Sequence, residues 1–305
     1  MKKRFLAIVN PEAGGGRCSK LAATELTKLR TAGLLLDVIA TTAPGHAAQL
    51  AREAYSQGYR RFIAVGGDGT AHEILNGLFP QALGAGTDSH GRIALGFLPL
   101  GTGNSFLRDF TSRGADESAR ALLDGRSRPC DIIRLTHDAG EIYAINLASI
   151  GFTADVAALS NRVFKPLGEL GYLLGVLISL VPLRRRPFPF RCDGNSAWDR
   201  SRYLFLSFNN SKFTGGKMMI APRADAADGA IEVVRWGPIG RIGLIRTLPR
   251  LFDGTHMEHP LASRLPARRI EFDIDTPVPT MIDGEVFHLK LRSLEILAHA
   301  LDVYI

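Results

Sequence analysis

The chain has 305 residues, of which 46% are hydrophobic and 22% are charged, and its formal net charge is +7 at neutral pH. This composition is that of an ordinary globular protein, which argues against disorder and fibrous repeats, and the length predicts two domains. No apolar run approaches the ~20 residues of a membrane-spanning helix, and three widely spaced cysteines (18, 130 and 192) argue against a disulfide framework and a zinc site.

The first 110 residues alternate between apolar runs and helix-like segments. The predicted strands are 5–9, 34–40, 62–65 and 93–98, and the predicted helices are 19–31, 45–58 and 71–79. Continuous apolar runs are typical of strands that are buried on both faces. Strands that alternate with helices predict a parallel sheet with right-handed crossovers, and the domain ends near residues 126–131.

The second half of the chain consists mainly of short strand candidates. These are 132–136, 141–147, 203–209, 231–236, 269–275 and 286–291. Several alternate, so that Ile270, Phe272 and Ile274 share one face. This alternation is typical of half-buried antiparallel sheets.

Residues 170–183 form an apolar stretch without a charge, and Arg184, Arg185 and Arg186 follow it directly. Runs of this length are more often a buried helix of the core. The alternative is a surface segment with its apolar part in lipid and its arginines on phosphates. Both interpretations stay open at this point.

The strongest motif is GGDGT, residues 66–70, directly after the third predicted strand. Glycines let the backbone turn sharply and approach a phosphate, and the helix that follows adds the positive potential of its amides. Asp68 places a carboxylate there for a metal ion or a proton. Thr70 and Glu73 also fit a capping box, a purely structural role. Capping does not explain the order Gly-Gly-Asp-Gly, so a phosphate site is favoured.

Two further glycine loops follow the first and fourth predicted strands. They are the GGG run at 14–16 and the GTGNS run at 101–105. Loops after parallel strands share one edge of the sheet, which is where ligands bind in such folds. The chain has neither a P-loop nor the glycine fingerprint of a dinucleotide-binding fold, and it lacks the protein-kinase signatures.

The second domain offers two acidic sites. Asp225 and Asp228 lie in one turn and, with the carbonyl of Ala230, could hold a hard cation such as Mg²⁺, although an acidic turn alone is as good an explanation. Asp283 and Gly284 between two apolar runs indicate a hairpin turn, which could also present Glu285 to a ligand.

These motifs together resemble the diacylglycerol kinase catalytic family, in its bacterial lipid-kinase branch. The similarity continues through residues 145–156, 215–229 and 282–285, so it covers nearly the whole chain. The resemblance implies an N-terminal three-layer α/β domain (1–128) with a parallel sheet. It also implies a C-terminal antiparallel β-sandwich-like domain (129–305) with a lipid-facing cleft, and ATP held between the two.

The resemblance also assigns roles to individual residues. The implied nucleotide contacts are Asn10, Thr41, Gly66, Gly67, Asp68, Gly69, Thr70, Glu73 and Thr102. The implied Mg²⁺ site is Asp225, Asp228 and the carbonyl of Ala230, and the implied proton acceptor is Glu285, with Asp68 as the essential acid of the glycine loop. Many bacterial members have Asn-Asp where this chain has Asn104 and Ser105, which puts the role of that carboxylate in doubt.

The function expected from the sequence is therefore an ATP-dependent lipid kinase that phosphorylates diacylglycerol or a related lipid. Its expected partner is a lipid at a membrane surface rather than a nucleic acid, and its expected location is the cytoplasm with transient membrane contact. Any self-association is expected to give a homodimer. An NAD kinase, which shares GGDGT, and a catalytically silent nucleotide or lipid sensor are the alternatives.

Overall fold

The computed structural model describes residues 4–83, 92–111, 114–159, 178 and 185–305. The chain divides into two compact units, each described by itself below. The first unit comprises Met1–Cys130 with His299–Ile305, and the second comprises Asp131–Ala298. Of the predicted apolar segment 170–183, all but Ile178 lies outside the described residues.

The first unit is built on a parallel sheet. Its strands are β1 (Arg4–Val9), β2 (Leu35–Ala40), β3 (Arg61–Gly66) and β4 (Ala94–Pro99), and its helices are α1 (Arg17–Thr31), α2 (His46–Ser56), α3 (Asp68–Leu78) and α4 (Ala115–Asp124). The strand order is β2-β1-β3-β4, and every pairing is parallel. The loops after β1, β3 and β4 therefore lie side by side at one edge.

Both faces of this sheet are buried at β1, β3 and β4, as their continuous apolar runs predict, whereas the edge strand β2 is largely exposed. Phe5 packs on one face with residues of α1 and α4, whereas its neighbour Leu6 points to the opposite face and is also buried. Successive side chains of a strand point to opposite faces, so β1, β3 and β4 are covered on both sides.

The second unit contains most of the strands. Up to residue 209 these are β5 (Ser127–His137), β6 (Gly140–Ala144), β7 (Leu147–Gly151), β8 (Arg186–Pro187), β9 (Phe190–Cys192), β10 (Arg202–Tyr203) and β11 (Phe205–Asn209). The later ones are β12 (Phe213–Thr214), β13 (Met218–Met219), β14 (Ile231–Trp236), β15 (Ala262–Ala267), β16 (Arg269–Phe272), β17 (Val278–Ile282), β18 (Glu285–Leu289) and β19 (Leu291–Tyr304). Within the residues that the structure describes, the helices α5 (Phe152–Leu159) and α6 (Arg241–Thr247) lie between these strands.

The main sheet of the second unit is antiparallel, in the order β15-β14-β11-β7-β17-β18. One of its faces packs on a core that includes Ile270, Phe272 and Ile274, all buried as their alternation predicts. Its other face packs against a second core that includes residues of α5 and α6. The expected α/β plus antiparallel β fold is confirmed.

Two features of the strands differ from the sequence prediction. The predicted strand 141–147 is two strands, because the chain turns at residues 145 and 146 between β6 and β7. The last strand, β19, was not predicted from the sequence, and its final residues pair in parallel with β4 of the first unit's sheet. In the described part of the chain, no helix is both long enough and apolar enough to cross a membrane.

Candidate active site

The three glycine loops of the first unit pack backbone against backbone. A Cβ on Gly101 would lie 2.6 Å from the Cα of Gly67, and a Cβ on Gly14 would lie 2.7 Å from the carbonyl oxygen of Leu100. The N–H of Gly101 donates to the carbonyl of Gly66 at 2.8 Å. Glycine is required at these contacts because any side chain would push the loops apart. The prediction of a shared edge is confirmed.

The GGDGT loop leads directly into α3, which begins at Asp68. Gly67 precedes it in an extended conformation, and no described side chain caps the helix. A Cβ on Gly66 would lie 2.4 Å from the hydroxyl of Thr70, so the sharp turn needs glycine. A helix start of this kind directs backbone N–H groups and positive potential outward, which favours a phosphate.

Asp68 holds two of the loops together. Its Oδ2 accepts a hydrogen bond of 2.9 Å from the backbone N–H of Ser105. Ser105 is buried and starts a short 3-10 helix, Phe106–Asp109. Asn104 adopts a positive φ of 51° and donates from its amide to the carbonyl of Gly101 at 3.1 Å. Hydrogen bonds therefore stabilise the conformation of the GTGNS loop and also attach it to the GGDGT loop.

The predicted capping box at Thr70 and Glu73 is wrong. Thr70 is already the third residue of α3, and its buried hydroxyl has no hydrogen-bond partner among the described residues. Glu73 instead accepts from the backbone N–H groups of Gly45 at 2.9 Å and Ala47 at 3.1 Å, which belong to the start of α2. Its carboxylate caps the neighbouring helix because that helix lacks a capping residue of its own.

The remaining predicted nucleotide contacts follow strands of the same sheet. Asn10 comes directly after β1 and donates from its backbone N–H to Val65 at 2.9 Å, while Thr102 is exposed after β4. Thr41 follows β2, and its neighbour Thr42 is hydrogen-bonded to His46 through its backbone N–H and its hydroxyl. All of these residues therefore lie in loops at the carboxyl ends of parallel strands.

The acidic turn of the second unit, which contains Asp225 and Asp228, is hydrogen-bonded to Asp131. This residue is fully buried, accepts from the N–H of Gly229 at 2.7 Å and donates its own N–H to Ala226 at 2.7 Å. Loss of hydration raises the pKa of Asp228, and the nearby carboxylates of Asp225 and Asp131 raise it further. The carboxylates of Asp225 and Asp131 thus lie close enough to Asp228 to disfavour its ionisation.

A cation would relieve this repulsion, and carboxylate and carbonyl oxygens are the ligands that Mg²⁺ prefers. Asp228 and Asp225 each use Oδ1 to accept a backbone N–H of their own turn, from Ala230 at 2.9 Å and Ala227 at 3.1 Å. Within the described ranges, no group of three or more His, Cys, Asp or Glu side chains is arranged to hold a metal ion. The oxygen donors that this turn offers are the carboxylates of Asp225 and Asp228 and the carbonyl of Ala230.

The predicted hairpin between β17 and β18 is confirmed. Asp283 and Gly284 both have positive φ, 49° and 95°, which is the conformation of a two-residue turn. Glu285 follows at the start of β18 and is exposed. The turn therefore presents the Glu285 carboxylate to solvent on a short, rigid hairpin.

Asp283 has a role that the turn pattern alone does not reveal. Its buried carboxylate accepts the backbone N–H groups of Ile145 at 3.0 Å, Asn146 at 2.9 Å and Leu147 at 3.0 Å. The chain turns from β6 to β7 at this segment, so its N–H groups need acceptors other than a neighbouring strand. Asp283 supplies them and fixes the base of the Glu285 hairpin.

Asn146 and Asn210 form a buried hydrogen-bond network that the sequence analysis did not predict. Asn146 donates to the carbonyl of Phe213 at 3.1 Å and accepts from the hydroxyl of Ser211. Asn210 donates to the carbonyls of Asp131 at 2.8 Å and Ile145 at 2.7 Å. The network links the acidic turn to the Asp283 hairpin within the second unit. The run of adjacent polar residues at the end of an apolar strand, Asn209, Asn210 and Ser211, is the signal that could have indicated it.

Comparisons with known proteins assign this chain to a family. A model of the diacylglycerol kinase catalytic domain matches residues 4–135, and one of the YegS C-terminal NAD kinase beta sandwich-like domain matches residues 146–305. A diacylglycerol kinase of Mycobacterium tuberculosis is 30% identical over 273 residues, which cover 88% of this chain and 85% of that relative. A diacylglycerol kinase of Bacillus subtilis is 28% identical over 286 residues, covering 93% and 90%. The chain therefore belongs to the diacylglycerol kinase catalytic domain family of lipid kinases.

Solved structures support the same fold. A diacylglycerol kinase from Bacillus anthracis superposes with a TM-score of 0.69 at 20% identity, over 99% of this chain and 96% of that one. An NAD kinase from Archaeoglobus fulgidus, solved in complex with ATP, gives 0.50 at 14% identity. The similarity to the NAD kinase is the more distant of the two.

Proposed function

We propose that this protein transfers the γ-phosphate of ATP to the hydroxyl of diacylglycerol or a related lipid, giving phosphatidic acid or a similar phospholipid. The observation that carries the proposal is the backbone packing of the three glycine loops around Gly14, Gly67 and Gly101. This packing keeps side chains away from the start of α3, where the triphosphate would lie. Family membership supports the lipid as the acceptor.

Phosphoryl transfer depends mainly on positioning and on neutralisation of charge. In the proposed reaction, the bond between the γ-phosphorus and its bridging oxygen breaks and leaves ADP. A new bond forms between that phosphorus and the lipid oxygen, and the hydroxyl proton passes to a carboxylate. The protein must therefore hold the phosphates and supply one accessible base.

Glu285 and Asp68 are the two candidates for that base, and their surroundings support different roles. Asp68 already accepts the N–H of Ser105 and joins two loops of the nucleotide site. Glu285 is exposed on its hairpin. We therefore assign the proton to Glu285 and the positioning of the phosphate loops to Asp68.

The acidic turn fits Mg²⁺ as a structural ion. Asp225, Asp228 and the carbonyl of Ala230 would hold it, since these oxygens are hard donors, and loss of hydration together with the acidic neighbours raises the pKa of Asp228. When bound, the ion would neutralise the turn. The turn is connected to the Asp283 hairpin by hydrogen bonds. Asp131 accepts from Gly229 of the turn, and Asn210 donates to the carbonyls of Asp131 and of Ile145, whose N–H is held by Asp283. An ion that fixes the turn would therefore also help to fix the hairpin.

A lipid substrate requires contact with a membrane. The 170–186 segment, for which the sequence leaves both a buried helix and a docking surface open, would make this contact under the second interpretation. Of its three arginines, Arg186 pairs with Asp155 at 3.2 Å and Arg185 donates to the carbonyl of Ile239 at 3.1 Å. Replacing residues 184–186 with glutamine should weaken binding to anionic vesicles if this segment docks.

The direct test is transfer of labelled γ-phosphate from ATP, with Mg²⁺, into a panel of lipids in mixed micelles, with NAD as a separate acceptor. The panel contains diacylglycerol, monoacylglycerol, phosphatidylglycerol, a sphingoid base and ceramide. The matched variants are Glu285→Gln, which removes the proposed base at an exposed position, and Asp68→Ala, which also frees Ser105 from its hydrogen bond.

Label in one lipid, lost in Glu285→Gln while ATP binding is retained, is the expected result. Asp68→Ala should lose ATP binding as well. Label only in NAD would contradict the lipid kinase. ATP binding with no transfer to any acceptor would instead indicate a silent sensor.

A further inference from the structure

An exposed apolar and basic face lies on helix α6 and the turn that continues it. Ile242 is 68% exposed, the highest value for a large apolar side chain among the described residues, and Ile245 and Phe252 are 48% and 55% exposed. We define the 241–252 surface by the exposed residues of this stretch: Arg241, Ile242, Ile245, Arg246, Arg250 and Phe252.

The helix is firmly attached to the unit by its other side. Leu244, Thr247 and Leu251 are buried, and the two leucines pack in the core cluster that contains Trp236. A helix turns by 100° per residue, so residues 241, 242, 245 and 246 occupy an arc of about 140° on the outer side. Ile242 and Ile245 fall in the middle of that arc, and an arginine lies at each edge.

The charge of this stretch has one sign. Residues 241–252 contain three arginines and no acidic residue, and with the exposed Asp253, which directly follows and interacts with Arg250, the stretch still carries an excess of two positive charges. Exposure of isoleucine side chains to water is unfavourable, and burial of these side chains against a partner would lower the free energy. The partner must therefore accept apolar side chains at its centre and offer negative charge around them.

An anionic lipid bilayer meets both conditions. Apolar side chains enter the boundary between headgroups and acyl chains, while arginines at the edge bind lipid phosphates. A second copy of this chain fits less well, because a two-fold axis through the face would bring its arginines against one another.

We infer that the 241–252 surface docks the protein on anionic membranes, with Ile242, Ile245 and Phe252 inserted and the three arginines on phosphates. The surface is distinct from residues 184–186. Arg185 nevertheless reaches the backbone of Ile239, two residues before α6 begins. The two basic segments can thus be tested separately and in combination.

The test is co-sedimentation of the full chain with vesicles of phosphatidylcholine, with and without phosphatidylglycerol. One variant, Arg246→Gln with Arg250→Gln, removes charge, and another, Ile242→Ser with Ile245→Ser, removes apolar contact. The controls are Arg52→Gln and Leu123→Ser, which change exposed residues of the first unit. Thermal unfolding of each variant checks that it is folded.

We expect the charge variant to bind anionic vesicles about fivefold more weakly per arginine, with no change on neutral vesicles. The apolar variant should lose about tenfold or more on anionic vesicles, and the controls should bind as the wild type does. The inference is overturned if both variants bind normally. It is also overturned if only substitution of 184–186 releases the protein, or if Ile242→Ser with Ile245→Ser converts a dimer into a monomer. The measurement needs no phosphate transfer, so it can fail or succeed independently of the proposed function.

Discussion

Replacing Asp283 with asparagine should destabilise the second unit through one small, nearly isosteric change. The carboxylate is 4% exposed and accepts three backbone N–H groups from residues 145–147 at 2.9–3.0 Å. Asparagine tolerates the positive φ of this position, so the substitution adds little backbone strain.

The magnitude follows from the hydrogen bonds. The amide oxygen of asparagine can still accept the N–H groups of Asn146 and Leu147, but without the negative charge that strengthens these bonds. Its NH₂ group would face the N–H of Ile145 and leave that buried donor without an acceptor, which costs about 1–3 kcal/mol. Together these losses predict a decrease of about 2–4 kcal/mol in the free energy of unfolding, out of roughly 5–15 kcal/mol for a typical domain.

Urea unfolding at neutral pH, extrapolated to water, measures this difference. Glu285→Gln is the matched control two residues away, and because Glu285 is exposed its stability should stay within about 0.5 kcal/mol of the wild type. A decrease below about 1 kcal/mol in Asp283→Asn would refute the reasoning, since the three bonds would then contribute little to stability.

Three further predictions concern the other sites. Gly101→Ala should abolish ATP binding, because its Cβ would lie 2.6 Å from the Cα of Gly67, whereas Gly240→Ala, which has open space and ordinary φ, should bind ATP normally in a calorimetric titration. Addition of Mg²⁺ should raise the unfolding temperature of the wild type, and Asp228→Asn should lose that increase; an equal increase in both would contradict the assigned turn. Burial lowers the pKa of His256 below its ordinary value of 6.5, so its contribution to stability is present above pH 6.5 and lost as the pH falls below it. The slope there, at most about 1.4 kcal/mol per pH unit, should flatten in His256→Asn, and an unchanged slope would contradict the assignment.

Much of the fold could be predicted from local patterns. Apolar runs such as 62–65 become strands that are buried on both faces, and the alternation of Ile270, Phe272 and Ile274 marks a half-buried sheet. Parallel strands require crossovers, so the glycine loops that follow them had to meet at one edge. The hairpin before Glu285 was likewise predictable, because Asp-Gly is a turn-forming pair.

The side-chain partners could not be predicted in the same way. The spacing of Thr70 and Glu73 predicts that Glu73 caps its own helix. In the structure Glu73 instead caps α2, which starts 27 residues earlier in the chain. A capping box is a local pattern, whereas the N–H groups at the start of a neighbouring helix are competing donors that only packing brings within reach of Glu73. The last strand shows the same limit, since its final residues pair with β4, which lies in the first third of the chain.

The sequence by itself determined the succession of strands and helices, the glycine loops and the turn that carries Glu285. These depend on residue periodicity and on backbone conformations that neighbouring residues impose. The tertiary structure alone decided what Asp68, Asp131 and Asp283 bind. The Asp283 carboxylate meets backbone groups 136–138 residues away. A buried carboxylate takes whatever donors folding places beside it, so its role depends on distances in space that spacing along the chain does not encode.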